Sequence, residues 1–114
     1  MKYLCLIYED QKKMQAMPKA EMDEFIAECF AFTGDIQKSG NYVAGDALQP
    51  AHVPATIRMR NAAETEEQLG GYYVINAKNL EDAIQVASRI PGARHGSVEV
   101  RPIMEYQQPA ERHH

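Results

Sequence analysis

The sequence predicts an α+β fold in which an antiparallel sheet carries helices on one of its faces. Short apolar runs typical of strands are spread along the 114-residue chain, and two longer segments with helical periodicity interrupt them. Turn residues stand at the junctions between these segments. The first run is apolar on both faces, which indicates a sheet that is covered on both sides. The length suits one domain with a single core.

The first strand is predicted at residues 2–8, because the run KYLCLIY is apolar, aromatic and too short for a helix. Side chains alternate between the faces of a strand, so two apolar sets arise. One face carries Leu4 and Leu6, and the other carries Tyr3, Cys5 and Ile7. Residues 9–15 are polar and are predicted to form a loop.

The first long helix is predicted to begin at Pro18, which suits the first turn because its missing N–H is not needed there. Acidic residues follow directly, as the helix dipole prefers near an N-terminus. Gly40 is a natural C-terminal stop. Apolar residues recur at three- and four-residue steps and predict the buried face. This set comprises Met22, Phe25, Ile26, Cys29, Phe30, Thr33 and Ile36.

Three central strands are predicted between the two helices. Residues 42–48 form a plausible second strand, and the alternating run at 55–60 reads ATIRMR and predicts a third. The fourth is expected at residues 72–75. A glycine pair directly precedes it and suggests a bulge or a close backbone approach.

The second helix is predicted to begin after Asn79, a favourable N-cap with an acidic Asp82 three residues later. Pro91 and Gly92 end it. Its predicted buried set is Leu80, Ala83, Ile84, Ala87 and Ile90. The last strand is predicted at residues 97–104, with Ser97, Glu99 and Arg101 on one face and Val98 and Val100 on the other.

The resulting order is β-α-β-β-β-α-β, or β-α-β-β-α-β if one central strand is a minor hairpin arm. Either order predicts the split βαβ, ferredoxin-like plan. Two helices cover only one face of such a sheet, yet the first strand is apolar on both. A second copy of the chain is the simplest cover, so we expect a homodimer with its sheets face to face.

Composition and charge exclude several classes of function. The net charge of −4 disfavours direct nucleic-acid binding, which needs clustered basic residues. No apolar run is long enough to span a membrane, and the N-terminus does not resemble a signal peptide, so a cytoplasmic location is expected. Cys5 and Cys29 are predicted to be buried thiols. Phosphate-binding and zinc-binding spacings do not occur, so no cofactor or metal site is predicted.

Four segments resemble the YCII-related family, also called the DGPF-domain family. They read MKYLCLIYED, SGNYVAGDALQP, ETEEQLGGYYVINAKNLEDAIQVASRIP and RHGSVEVRPIMEY. The resemblance implies a YCII-related domain at residues 1–106, followed by a polar tail at 107–114. It also implies ferredoxin-like protomers that pair into a dimeric α+β barrel. Some members of the family are linked to sigma factors, and a distant relative acts as a dehydrochlorinase.

The sequence departs from the family pattern at two places. The Asp-Gly-Pro-Phe loop expected before Ala63 is absent, and Asn61-Ala62 runs directly into Ala63-Glu64. Either the loop is truly deleted from this protein, or the molecule has the loop and the sequence omits it. Asn41 stands where relatives often have histidine. Both departures remove a titratable group that an acid–base site would use.

The candidate catalytic residues are His95 and Asp46. Histidine titrates near neutral pH and is the usual proton-transfer residue, and His95 lies at the start of the last strand. Asp46 follows Gly45 at a strand end and offers a carboxylate. The alternatives are a loop histidine that caps a strand and a solvated turn aspartate.

The candidate ligand-binding residues are those of the last strand together with nearby tyrosines and an arginine. A glutamate and an arginine inside a barrel would orient a polar ligand, although a structural ion pair at a dimer interface is the alternative. Tyrosines in strands also serve in core packing, and an exposed arginine on an edge strand guards against aggregation. The set is Ser97, Glu99, Arg101, Tyr8, Tyr42 and Arg58.

Two classes of function remain open from the sequence. The first is a dimeric protein that binds a small molecule or acts as an accessory to a partner, including a sigma-factor-linked partner implied by the family resemblance. The second is a lyase or isomerase that uses His95 with a carboxylate in a dimer pocket. The position of His95 relative to a carboxylate and a concave pocket distinguishes them.

Overall fold

The computed structural model describes residues 1–49 and 67–106. Four strands form one antiparallel sheet in the order β2-β3-β1-β4, which is the predicted ferredoxin-like arrangement. The elements are β1 (Lys2–Asp10), α1 (Gln11–Ala16), α2 (Lys19–Lys38), β2 (Tyr42–Ala47), β3 (Glu67–Asn76), α3 (Leu80–Ala87), a 3-10 helix (Pro91–His95) and β4 (Gly96–Pro102). The strand predicted at 55–60, with Arg58, lies outside the described residues.

Strand β1 is central and pairs with β3 on one side and β4 on the other. It is longer than predicted and reaches Asp10, which places Glu9 opposite Gly96 of β4. Its pairing with β3 shifts between Ile7 and Tyr8, beside the predicted glycine pair. The glycines therefore mark a β-bulge, as the sequence indicated.

The predicted loop at residues 9–15 is wrong, because these residues finish β1 and form most of α1. Asp10 caps this short helix, and its Oδ1 accepts a hydrogen bond from the Lys13 N–H at 3.2 Å. No residue of α1 is buried. The polar character of residues 9–15 therefore reflects mainly an exposed helix rather than an irregular loop. None of the helices in residues 1–49 and 67–106 is long and apolar enough to cross a membrane.

Helix α2 has a different buried face from the one predicted. Phe30 is 75% exposed, whereas Phe32 is only 5% exposed. Ile26 is also exposed. The prediction was correct for Phe25 and Ile36, which are buried. The helix is rotated so that Phe32 packs on the sheet and Phe30 lies at the edge of the helix–sheet interface, where it lines a pocket.

Helix α3 begins as predicted, because the Asn79 side chain accepts a hydrogen bond from the Asp82 N–H at 2.9 Å. The prediction of the buried face of α3 is again only partly correct. Ala83 and Ala87 are buried, but Leu80 and Ile84 are 45% and 50% exposed. The small alanines allow the helix to lie close to the sheet, and the larger side chains point aside.

The core lies between the helices and one face of the sheet. The buried cluster consists of Tyr3, Cys5, Ile7, Phe32, Ile36, Ile75, Ala77, Ala83, Val86, Ala87 and Ile90. Val98 and Val100 of β4 pack against this cluster, so the predicted phase of the last strand is confirmed. Burial raises the pKa of the Cys5 thiol to about 11, which makes this cysteine an inert core residue.

The opposite face of the sheet carries no helix among the described residues. Leu4, Leu6 and Tyr8 of β1 alternate with the buried residues, lie on this second face and are half-buried. The register of β1 with β3 places Val74 of β3 beside Leu4 and Tyr72 of β3 beside Leu6. A continuous, mostly apolar strip therefore crosses the uncovered face, as the doubly apolar first strand predicted.

Candidate functional site

A pocket of about 410 Å³ lies between α2, the 3-10 helix and the helix-covered face of the sheet. Its walls are mainly apolar and aromatic, and its polar side chains are few. Such a concave, apolar site with a small number of convergent polar groups is typical of small-molecule binding. The lining includes Ile7, Glu9, Phe25, Ile26, Cys29, Phe30, Thr33, Tyr42, Tyr73 and Ile90, with backbone from several glycines.

Glu9 places a carboxylate in this apolar pocket. It follows Cys5 and Ile7 in the alternation of β1, so its side chain lies on the helix-covered face. A Cβ added at Gly70 would meet the Glu9 Oε2 at 2.5 Å, and one added at Gly92 would lie 3.7 Å from Oε1. The carboxylate therefore occupies the space that a side chain at Gly70 would need, and it lies in ordinary contact distance of Gly92.

The electrostatic environment of Glu9 favours its protonated form more than water does. Burial raises the pKa of the Glu9 carboxyl, and the nearby His95 opposes this effect by lowering it. No hydrogen bond from another described residue reaches the carboxylate in the structure. Glu9 is thus a half-buried acid whose oxygen atoms can accept hydrogen bonds from a bound molecule.

His95 lies at the end of the 3-10 helix, near enough to lower the pKa of the Glu9 carboxyl but without a hydrogen bond or ion pair to it. Its half-buried ring packs edge-on against Phe25 of α2, with ring centroids 5.0 Å apart and an interplanar angle of 86°. The adjacent Arg94 forms an ion pair with Glu28, which like Phe25 belongs to α2. These two contacts hold the 3-10 helix against α2 and fix one wall of the pocket.

A second polar group lies where α2 faces β3. The hydroxyls of Thr33 and Tyr73 are 2.6 Å apart, and the Thr33 hydroxyl also donates to the Cys29 carbonyl at 3.0 Å. Burial raises the pKa of the Tyr73 hydroxyl, although the bond to Thr33 lowers it. Because the Thr33 hydroxyl has a single proton and donates it to the Cys29 carbonyl, it accepts from the Tyr73 hydroxyl. This arrangement orients Tyr73 at the pocket wall.

Cys29 lines the same pocket as a half-buried free thiol. Burial raises its pKa, and the negative charges of Glu9 and Glu28 raise it further against a weaker opposing effect of Arg94. A raised pKa keeps the thiol protonated at neutral pH, so Cys29 serves as a small apolar wall residue rather than as a nucleophile.

The structure does not bring His95 and Asp46 together in one chain. The Tyr72 hydroxyl donates to Asp46 Oδ2 at 2.8 Å, and register places both side chains on the uncovered face of the sheet. His95 contacts the helix side instead. The catalytic role of Asp46 therefore stays a prediction that would require a partner subunit.

The predicted ligand-binding residues of β4 share the uncovered face. Ser97, Glu99 and Arg101 are exposed there. The Tyr8 hydroxyl donates to Glu99 Oε1 at 3.5 Å, and Arg101 Nε lies 3.9 Å from Glu99 Oε2. Arg101 thus has the carboxylate neighbour that the sequence led us to expect, at a distance typical of a weak surface pair.

Tyr42 is the predicted ligand-binding residue that lines the pocket. Its ring contacts Tyr73 edge-on, with centroids 6.4 Å apart. Arg58 lies outside the described residues. Glu9, Phe30 and Thr33 were not identified as site residues from the sequence. Continuing the alternation of β1 by one residue past Tyr8 would have placed Glu9 on the same face as Cys5.

Among residues 1–49 and 67–106, no group of three or more histidine, cysteine, aspartate or glutamate side chains is arranged to hold a metal ion. The described pocket lining offers a carboxylate, hydroxyls and aromatic rings. Such groups bind a ligand by shape and charge, and they can exchange a proton with it.

Comparisons with known proteins agree with the fold. The family model of the YCII-related domain matches residues 1–107. An uncharacterised protein of Rhizobium meliloti (strain 1021) is 30% identical over 117 residues, covering 93% of this chain and 94% of the relative. The solved structure of 5-chloro-2-hydroxyhydroquinone dehydrochlorinase from Burkholderia phenoliruptrix, in complex with 2,5-dihydroxybenzoquinone, superposes with a TM-score of 0.56. It is 11% identical, with 93% of this chain and 96% of that chain covered.

Proposed function

Because the chain belongs to the YCII-related family, we propose that it is a small-molecule-binding protein whose ligand occupies the pocket between α2 and the sheet. The observation that carries this proposal is a half-buried carboxylate, Glu9, in a pocket that is otherwise mainly apolar. Leaving a charged group in such surroundings costs stability, and binding residues are often kept at that cost. The superposition with the dehydrochlorinase supports a shared fold. The low sequence identity does not transfer its ligand to this chain.

The size of the pocket agrees with a ligand of one to three rings. A volume of about 410 Å³ lies at the lower end of the range typical of small-molecule sites. Phe30 and Ile26 are exposed large apolar side chains that line it, so a ligand would remove their surface from water. Burial of such surface is favourable by about 25 cal/mol per Å².

Filling the pocket is expected to abolish binding of a neutral aromatic probe. N-phenyl-1-naphthylamine, which fluoresces in apolar surroundings, should bind the wild-type protein. Cys29→Phe should lower its affinity at least tenfold, because the added ring occupies the pocket that Cys29 lines. Fluorescence titration measures both affinities.

Ala31→Phe is the matched control, because it adds the same side chain to the exposed face of α2. It should bind the probe like the wild type. Circular dichroism verifies that both variants are folded. If a folded Cys29→Phe protein binds the probe as well as Ala31→Phe does, the pocket is not the binding site and the proposal fails.

A proton-transfer enzyme of the lyase or isomerase class is the second candidate. The Glu9 carboxyl favours it, because a carboxyl in a pocket whose pKa is raised by burial can exchange a proton with a ligand, and His95 is near enough to influence that pKa. The dehydrochlorination named for the structural neighbour provides a first assay. Chloride release by the wild type that is lost in both Glu9→Gln and His95→Asn would support this candidate, and absence of release would count against a shared reaction.

We further propose that the protein is a homodimer that pairs through the uncovered sheet face, as in a dimeric α+β barrel. Leu6→Glu should produce a monomer, because it places a charge in the middle of the apolar strip. Leu80→Glu, on the exposed side of α3, should remain dimeric. Light scattering distinguishes the two masses, and a monomeric wild type at micromolar concentration would refute the assembly. The interface should exceed about 1,000 Å².

A further inference from the structure

We infer that the ligand of the pocket carries a positively charged amine on an apolar, preferably aromatic, body. This inference rests on the proposed function and adds the charge and chemical class of the ligand. It follows from the signs of the charges around the pocket, from the aromatic rings in its walls and from the absence of a hydrogen-bond donor on Glu9 among the described residues.

The charge of the described lining is negative. No lysine, arginine or histidine belongs to the described residues that line the pocket, whereas Glu9 does. Asp46 and Tyr72 contribute backbone, since their side chains are bonded to each other on the opposite sheet face. A carboxylate or phosphate on the ligand would therefore meet repulsion from Glu9 without a compensating cation in the described lining.

Arg94, a cation of the described residues that follows the pocket wall, is committed elsewhere. Its guanidinium pairs with Glu28 on the exposed side of α2. His95 lies near Glu9 and lowers the pKa of that carboxyl, but its ring is packed on Phe25. The Glu9 oxygens are thus left to accept hydrogen bonds from a ligand, and an ammonium donates up to three.

Aromatic rings provide the second element of ammonium recognition. Phe25, Phe30, Tyr42 and Tyr73 all line the pocket. Tyr42 and Tyr73 meet at an interplanar angle of 75°, so the two rings present differently directed surfaces. Aromatic faces attract cations, and cages of such rings bind alkylated ammonium groups. Thr33 holds the Tyr73 hydroxyl and keeps that ring in place.

The test compares three probes of one shape and different charge. Phenethylamine is cationic at neutral pH, 2-phenylethanol is neutral and phenylacetate is anionic. Isothermal titration of the full-length protein should give an affinity for phenethylamine about tenfold or more above that for 2-phenylethanol, as a charge-assisted hydrogen bond allows. Phenylacetate should bind most weakly. Glu9→Gln should remove the preference for the amine over 2-phenylethanol.

Glu24→Gln is the matched control, because Glu24 is exposed on α2 and the variant loses the same charge. It should retain the preference for the amine. Equal or tighter binding of the neutral or anionic probe by the wild type overturns the inference, and so does a preference that survives Glu9→Gln. In those cases a probe that is still excluded by Cys29→Phe leaves the pocket as the binding site, so the two proposals fail separately. If neither the three probes nor the neutral fluorescent probe binds, both proposals are refuted.

Discussion

Replacing Phe32 with alanine is expected to lower the free energy of unfolding by about 3–5 kcal/mol, the usual cost of removing a buried aromatic side chain. Phe32 is 5% exposed and belongs to the core cluster. Its ring meets Tyr73 edge-on with centroids 5.3 Å apart, and the Arg89 guanidinium lies 5.8 Å from its centroid on the ring face. Truncation therefore creates a cavity and also removes two specific contacts.

Phe30→Ala is the matched control, two residues earlier on the same helix. Phe30 is 75% exposed, so this variant should change the free energy of unfolding by no more than about 0.5 kcal/mol. Urea denaturation followed by circular dichroism measures both changes. Because Phe30 lines the pocket, its variant should instead weaken probe binding. Equal destabilisation by the two variants would contradict the orientation of α2 described above.

The orientation of α2 shows where sequence periodicity stops being informative. Apolar residues occur on two adjacent strips of this helix, one containing Phe25 and Phe32 and the other containing Ile26 and Phe30. A period of 3.6 residues accommodates either strip. The sheet selects the first, and the second is left to line the pocket. The helix and its ends were therefore predictable, whereas its rotation depended on tertiary packing.

The strands were more predictable than the helix faces, because a two-residue period leaves only two choices. Val98 and Val100 face the core as expected, which also fixes Glu99 on the opposite face. The site was less predictable for a different reason. Glu9 and His95 are distant in the sequence, and they come near each other because β1 pairs with β4 so that Glu9 stands opposite Gly96. Finding the pair required both the full length of β1 and its register.

Replacing Gly96 with alanine should destabilise the protein by about 1–3 kcal/mol or more, because the added methyl group has no space. A Cβ at this position would overlap the Tyr8 carbonyl oxygen and lie 3.0 Å from the Glu9 Cα. These are backbone atoms of the central strand, so they cannot turn aside as a side chain does. The φ of Gly96 is 174°, an extended value, so close approach of strands rather than backbone freedom requires glycine here.

Gly34→Ala provides the opposite result from the same chemical change. Gly34 lies within α2, and a Cβ added there meets no atom within 4 Å. Alanine in a helix interior is more stable than glycine by about 0.5–1 kcal/mol, so this variant should be stabilised. Thermal denaturation of both variants tests the pair. A Gly96→Ala protein as stable as the wild type would contradict the pairing of β1 with β4, and with it the geometry that brings the acid and the imidazole together.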